Sequence, residues 1–198
     1  MNTEYKAYRF YFALSRAFLR ILYPLRVFGK ERIPEGSAMV CSNHSSNLDP
    51  FLIAYAFGIE HHLHIIAKIE LFRIPLISGI LKKIGMICVD RDISDASSVK
   101  STLTYLKDGE KVLIFPEGTR VSSDDAIAAK AGAVRLAERA GVPLIPVFIA
   151  RRKPLFRRVP IVIGEPFLIE KPEKKRDADD YDQLSNSLME SIKNLGSV

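Results

Sequence analysis

The stretch Ala38-Met39-Val40-Cys41-Ser42-Asn43-His44-Ser45-Ser46-Asn47-Leu48-Asp49-Pro50-Phe51-Leu52-Ile53-Ala54-Tyr55 decides how the chain is read. Its apolar start, Ala38 to Cys41, has the length and composition of a short buried strand. Its end reads as a helix opening at Pro50, because proline suits the first helical position and pushes the preceding Asp49 out of the helical region. A polar loop between the two carries His44 and Asp49. A neutral imidazole can take a proton from a hydroxyl, and a carboxylate on its other nitrogen fixes the tautomer and stabilises the imidazolium. Asp49 also suits a plainer task, capping the helix at Pro50. A carboxylate has two oxygens, so the two uses are compatible.

Working outward, apolar runs of strand length alternate with helical ones. Val27 to Gly29, Leu63 to Ala67, Met86 to Val89, Lys111 to Phe115, Leu144 to Ile149 and Val159 to Ile163 read as strands. Helices are expected from Pro50 to near Gly58, over Pro75 to Ile84, and from a cap at Ser94 or Asp95 to Lys107. An alanine-rich helix is expected from Ala126 to Ala140, closed by Gly141, and a last one carries Leu184, Leu188, Ile192 and Leu195. Lys171 to Asp180 is charged and reads as solvated. The alternation predicts an α/β fold: a single domain with a largely parallel, mixed sheet flanked by helices. A chain of 198 residues suffices for one such domain.

Residues 1–24 stand apart as an N-terminal amphipathic helix, leaving 25–198 for the domain. Tyr8, Tyr11, Phe12, Phe18, Leu19 and Leu22 fall at helical spacing, Phe10, Leu14, Ala17 and Ile21 widen that face, and Lys6, Arg9, Arg16 and Arg20 form a basic stripe. A membrane span needs roughly 20 apolar residues without central charges, which Arg16 and Arg20 deny. Two readings stand: a helix lying in a membrane interface, and a terminal helix packed on its own domain. The net charge of +6 and pI of about 9.3 favour anionic partners. Cys41 and Cys88 sit in apolar runs and make no disulfide framework, and no secretory leader is expected, so the chain reads as intracellular.

Polar groups gather where three expected strands end: His44 with Asp49, Asp90 with Arg91, and Glu117, Gly118, Thr119 and Arg120. In such sheets ligands bind outside the carboxyl ends of the strands, and two arginines there suit a phosphate. Taken singly, each group has a simpler use, as a turn or a surface ion pair. The segment Arg151 to Arg158 is a basic loop with an apolar tip, suited either to solvent or to anionic headgroups or an acidic carrier protein. No nucleotide-binding glycine loop is present, and aromatic interleaving is too slight for nucleic acid. His61, His62 and His64 lie close together without carboxylate or cysteine company, so no metal is expected.

These residues carry a resemblance. Asn43 to Pro50 resembles the first motif of the glycerolipid acyltransferases, a His followed by an Asp after four residues. Gly85-Met86-Ile87-Cys88-Val89-Asp90-Arg91 resembles the second, loosely, since aromatics are common there. Phe115-Pro116-Glu117-Gly118-Thr119-Arg120 matches the third, Val142-Pro143-Leu144-Ile145-Pro146-Val147 resembles the fourth, and Lys68-Ile69-Glu70-Leu71-Phe72 resembles a further stretch. Four motifs in order over residues 38 to 150 are far more specific than one. The chain is most similar to the bacterial 1-acylglycerol-3-phosphate acyltransferases. The resemblance implies acyl transfer from an acyl thioester (acyl-CoA or acyl carrier protein, as co-substrate rather than cofactor) to the sn-2 hydroxyl of lysophosphatidate, giving phosphatidic acid for phospholipid biosynthesis. His44 is then the general base and Asp49 its orienter. Lys68, Arg91, Glu117, Gly118, Thr119 and Arg120 belong to the acceptor site, and Pro146 lines the acyl region. Peripheral attachment to the cytoplasmic face of an anionic membrane follows. The alternatives are another lysolipid acceptor, such as a lyso-aminolipid, a non-catalytic lipid-binding protein, and a hydrolase.

Overall fold

Strand β2 (Ala38–Ser42) lies at the centre of the sheet because all five of its residues are small or apolar enough to be buried on both faces. The computed structural model describes residues 3–90, 95–120, 129–170, 172 and 174–197. Before β2 come helix α1 (Thr3–Leu22) and strand β1 (Leu25–Phe28). After it come α2 (Asp49–Phe57), β3 (Leu63–Lys68), the short α3 (Ile69–Phe72), α4 (Pro75–Lys83), β4 (Ile87–Val89), α5 (Ala96–Lys107) and β5 (Lys111–Ile114). Helix α6 (Gly132–Ala140), strands β6 (Leu144–Ile149) and β7 (Val159–Ile163), and helix α7 (Ala178–Leu195) complete the order. The strands run β1-β7-β6-β2-β5-β3-β4 across the sheet, all neighbours parallel except β6 with β7. The mixed, largely parallel sheet read from the sequence is therefore present.

Alternation along the strands sorts the core into two layers. Val40, Ile65, Leu113, Ile145 and Val147 pack with Leu52, Ile53 and Phe57 of α2 and with Tyr8 and Phe12 of α1. Met39, Cys41, Val112 and Leu144 pack on the other face against Leu106 of α5, Val134 and Ala137 of α6, and Leu188 and Ile192 of α7.

Three sequence readings change. Helix α6 begins at Gly132, not at 126: residues 121–128 lie outside the described residues, and 129–131 are not helical. The Lys130 N–H donates to the Pro116 carbonyl at 2.9 Å, so this backbone is held to the loop after β5 instead of turning into the helix. Helix α7 reaches back into the charged segment, because Asp177 and Asp180 form a reciprocal capping box and acidic residues favour a helix N-terminus. The broad apolar face of α1 divides in two. Tyr8 and Phe12 are buried against the domain, whereas Phe10, Leu14, Phe18 and Ile21 are each more than 60 % exposed. The helix is thus packed on its own domain along one edge, and a second apolar edge stays exposed.

Asn43 is what positions the site. It directly follows β2 and is 3 % exposed. Its Nδ2 donates to the Ile149 carbonyl at 2.8 Å, and the Ile149 N–H donates to its Oδ1 at 2.9 Å. The side chain thereby completes the ladder between the end of β2 and the end of β6, and it anchors the backbone from which His44 leaves. Asn43→Ala leaves buried polar groups unpaired, at about 1–3 kcal/mol each. A loss of roughly 2 kcal/mol or more is expected in chemical denaturation; a variant as stable as the parent would contradict this role.

Candidate active site

The loop from β2 to α2 folds around one carboxylate. Asp49 opens α2 but does not cap it: Leu48 is the N-cap, and no side-chain cap bond forms there. Instead Asp49 Oδ2 accepts the N–H groups of Ser45 and Ser46, both at 2.7 Å, and faces His44 Nδ1 at 3.2 Å. Oδ1 faces Lys153 Nζ at 2.7 Å. The carboxylate is fully buried, and the Lys153 side chain is only 5 % exposed. Burial works to raise the Asp49 carboxyl, but the hydrogen bonds from His44, Lys153 and Ser45 outweigh it and hold it below the usual carboxylate range. An ionised Asp49 makes Nδ1 of a neutral His44 the donor and leaves Nε2 with the lone pair.

The ring of His44 is held from its other sides as well. It stacks on Phe115 with centroids 4.0 Å apart. Its backbone N–H donates to Glu117 Oε2 at 3.2 Å. Burial raises the Glu117 carboxyl, and the His44 N–H and Arg151, whose Nη2 lies 3.9 Å from Oε1, pull against that rise. Glu117 is 4 % exposed and lies against the His44 backbone. It positions the imidazole rather than facing the cavity.

His44 opens onto a cavity of about 580 Å³, well inside the range of roughly 300–1,000 Å³ of small-molecule pockets. The cavity lies over the carboxyl ends of β2, β3 and β5 and beneath α3 and α4. Ile65, Leu71, Ile77, Leu81 and Met86 make an apolar lining, and Lys68, Thr119 and Arg120 bring polar groups to it. Lys68 and Arg120 are both exposed, so the cations sit where the cavity meets solvent. The arrangement offers a lone-pair nitrogen, an apolar trough and two cations in one cleft: it can deprotonate a hydroxyl on a molecule with an anionic head and an apolar tail.

Of the residues marked from the sequence, His44, Lys68, Thr119 and Arg120 line the cavity, and Asp49 and Glu117 lie directly behind His44. Gly118 takes a left-handed φ of 68° beside Lys130, so it shapes the turn and does not line the cavity. Pro146 is not brought there. It belongs to the sheet face under α7, near Gly164 and Leu195, because Ile145 and Val147 take the other face. Arg91 lies outside the described residues. Lys153 was missed by the sequence reading: it stands in a run of surface cations, and nothing in Arg151-Arg152-Lys153 marks it as the one turned inward.

A family model described as acyltransferase matches residues 24–150. The chain is 34 % identical over 199 residues to the 1-acyl-sn-glycerol-3-phosphate acyltransferase of Bacillus subtilis, covering 95 % of this chain and 96 % of that protein. It is 32 % identical over 147 residues to the 1-acyl-sn-glycerol-3-phosphate acyltransferase of Borreliella burgdorferi, covering 70 % of this chain and 58 % of that protein. The crystal structure of the 1-acyl-sn-glycerophosphate acyltransferase PlsC from Thermotoga maritima shares its fold, with a TM-score of 0.70 at 24 % identity, over 98 % of this chain and 78 % of that one. The family model over residues 24–150 and the full-length similarity agree: the chain is a member of the acyltransferase family.

Proposed function

We propose that this enzyme acylates the free sn-2 hydroxyl of 1-acylglycerol-3-phosphate from an acyl thioester, making phosphatidic acid for phospholipid synthesis. The observation that carries it is the pairing of His44 with the buried Asp49 at the edge of an apolar cavity with cations at its mouth. The full-length similarity to the Bacillus subtilis enzyme supports the same substrate class. His44 Nε2 takes the hydroxyl proton as the oxygen attacks the thioester carbonyl. The C–S bond breaks as the new ester forms, and the departing thiolate recovers the proton from the imidazolium. Asp49 stabilises that imidazolium, and Glu117 and Phe115 keep the ring aimed. Lys68 and Arg120, together with Arg91, hold the acceptor's phosphate, which favours lysophosphatidate over a lyso-aminolipid. The acyl donor is coenzyme A-linked or carried by acyl carrier protein.

The enzyme works at the surface of an anionic membrane, on the cytoplasmic side. Among the described residues no helix is long and apolar enough to span one. The exposed stripe Phe10, Leu14, Phe18 and Ile21 continues to the tip of the basic loop, where Leu155 and Phe156 are 54 % and 66 % exposed. The Phe156 N–H donates to the Leu22 carbonyl at 2.7 Å, tying that tip to the end of α1. Each such side chain contributes about 1.5–3 kcal/mol when fully buried, against about 1 kcal/mol for a lysine or arginine at an anionic surface. Apolar insertion therefore dominates, and Arg20, Arg152, Arg157 and Arg158 add preference for anionic lipid.

Purified enzyme is expected to release thiol from an acyl thioester only when lysophosphatidate is present, with phosphatidic acid as product. Release without acceptor would mean a hydrolase, and no release with either donor would mean a lipid-binding protein. His44→Ala should fold and lose activity by about 10²–10⁴-fold; near-normal turnover would refute its role. Lys153→Met removes a cation beside the His44–Asp49 pair. The Asp49 carboxyl then loses one of the partners that hold it below the usual carboxylate range, so kcat/KM should fall; unchanged turnover would separate Lys153 from the pair. The combined substitution of Phe18→Asp and Phe156→Asp spares the buried face of α1 and should abolish sedimentation with anionic liposomes. Undiminished sedimentation would end the interfacial reading.

A further inference from the structure

The carboxylate that His62 and His64 lack in sequence arrives through the sheet. Strands β3 and β5 run parallel with Leu63 opposite Lys111 and His64 opposite Val112. One step before the ladder, that register sets His62 beside Glu110, and His64, two residues further along β3, shares their side. One ligand atom from each of His62, His64 and Glu110 lies within 4.8 Å of the other two.

Each imidazole has one nitrogen fixed by a backbone carbonyl, as metal-ligating histidines commonly do. His64 Nδ1 lies 2.7 Å from the Gly85 carbonyl, and His62 Nε2 lies 3.1 Å from the Ile84 carbonyl. A carbonyl only accepts, so each of these nitrogens carries the proton and the other nitrogen of each ring keeps a lone pair. His64 Nε2, the lone-pair nitrogen, is buried with no hydrogen-bond partner among the described residues, and His64 as a residue is 1 % exposed. An orphaned acceptor in that position is costly unless something binds it.

We propose that His62, His64 and Glu110 bind one divalent transition-metal ion of the zinc class, which fastens α1 to the domain. Two imidazole nitrogens and one carboxylate suit zinc, with a water completing four ligands. Metal–ligand bonds of about 2.0–2.2 Å need ligand atoms roughly 3.3 Å apart in a tetrahedron. The site lies at the start of β3, whereas Lys68 ends the strand, and none of its three ligands lines the cavity, so its role is structural. His62 packs on Tyr8 and Tyr5 of α1, with ring centroids 4.2 and 5.8 Å away, and His64 stacks on Tyr105 of α5 at 3.5 Å. An ion held here clamps the layer that carries the membrane-facing helix.

The test is titration of the chelator-stripped full chain with Co²⁺, followed by visible absorption, and with Zn²⁺ in competition. One equivalent per chain is expected, and Zn²⁺ should raise the melting temperature by mass action. Glu110→Gln, on a half-exposed turn that tolerates change, should weaken binding by about tenfold or more and cancel the thermal shift. His64→Asn should abolish binding, and His44→Ala should leave it intact. The proposal is overturned if the parent protein binds no stoichiometric metal, or if Glu110→Gln binds as the parent does. It is overturned equally if His44→Ala removes the binding.

Discussion

One buried carboxylate organises the catalytic end of the molecule. Asp49 has no exposed surface, yet its ionised form is favoured, because two backbone N–H groups, an imidazole and an ammonium converge on it. Burial alone would neutralise it. The loop between β2 and α2 must therefore adopt the one path that turns Ser45 and Ser46 inward, and that path fixes where His44 stands. Asn43 locks the near end of the loop to β6, and at the far end Asp49 opens α2 with Pro50 in its first turn. The imidazole is thus held by the fold before any substrate arrives, so little reorganisation is left for the reaction itself.

The layers of the sheet divide labour around that loop. The α2 side holds the cavity, whose apolar lining and exposed cations match a molecule with a hydrocarbon tail and an anionic head. Helix α1 packs on the same side through Tyr8 and Phe12 and leaves a second apolar stripe exposed. An acceptor that resides in a bilayer need not cross much water to reach His44. The loop carrying Lys153 serves both ends. Its base inserts an ammonium beside Asp49, and its tip, with Leu155 and Phe156, lies by the end of α1. The tip by α1 and the electrostatics of the base are therefore connected through a few residues of chain.

The order of strands and helices was legible because the hydrophobic runs are short, β-branched and separated by turn residues, which is what a sheet buried on both faces requires. The loop residues His44 and Asp49 were legible because their types and spacing have a chemistry. Asp49 was ambiguous between cap and orienter, and only coordinates separate the two, since both uses place an aspartate before a helix. Lys153 was hidden because the inward turn of one cation among several depends on tertiary contacts with residues more than one hundred positions away. Pro146 was misplaced because the face of a central strand is not readable when both faces are apolar. The company of His62 and His64 was invisible for a related reason: Glu110 reaches them through strand pairing, which a local reading of the histidines does not contain.

The tautomer of His44 tests the central claim most directly. Nitrogen-15 NMR of the imidazole in the neutral state reads which nitrogen carries the proton. The account predicts a proton on Nδ1 and a free lone pair on Nε2 in the parent protein, with that preference lost in Asp49→Asn. A parent imidazole protonated at Nε2, or a Nδ1 preference that survives Asp49→Asn unchanged, would contradict it.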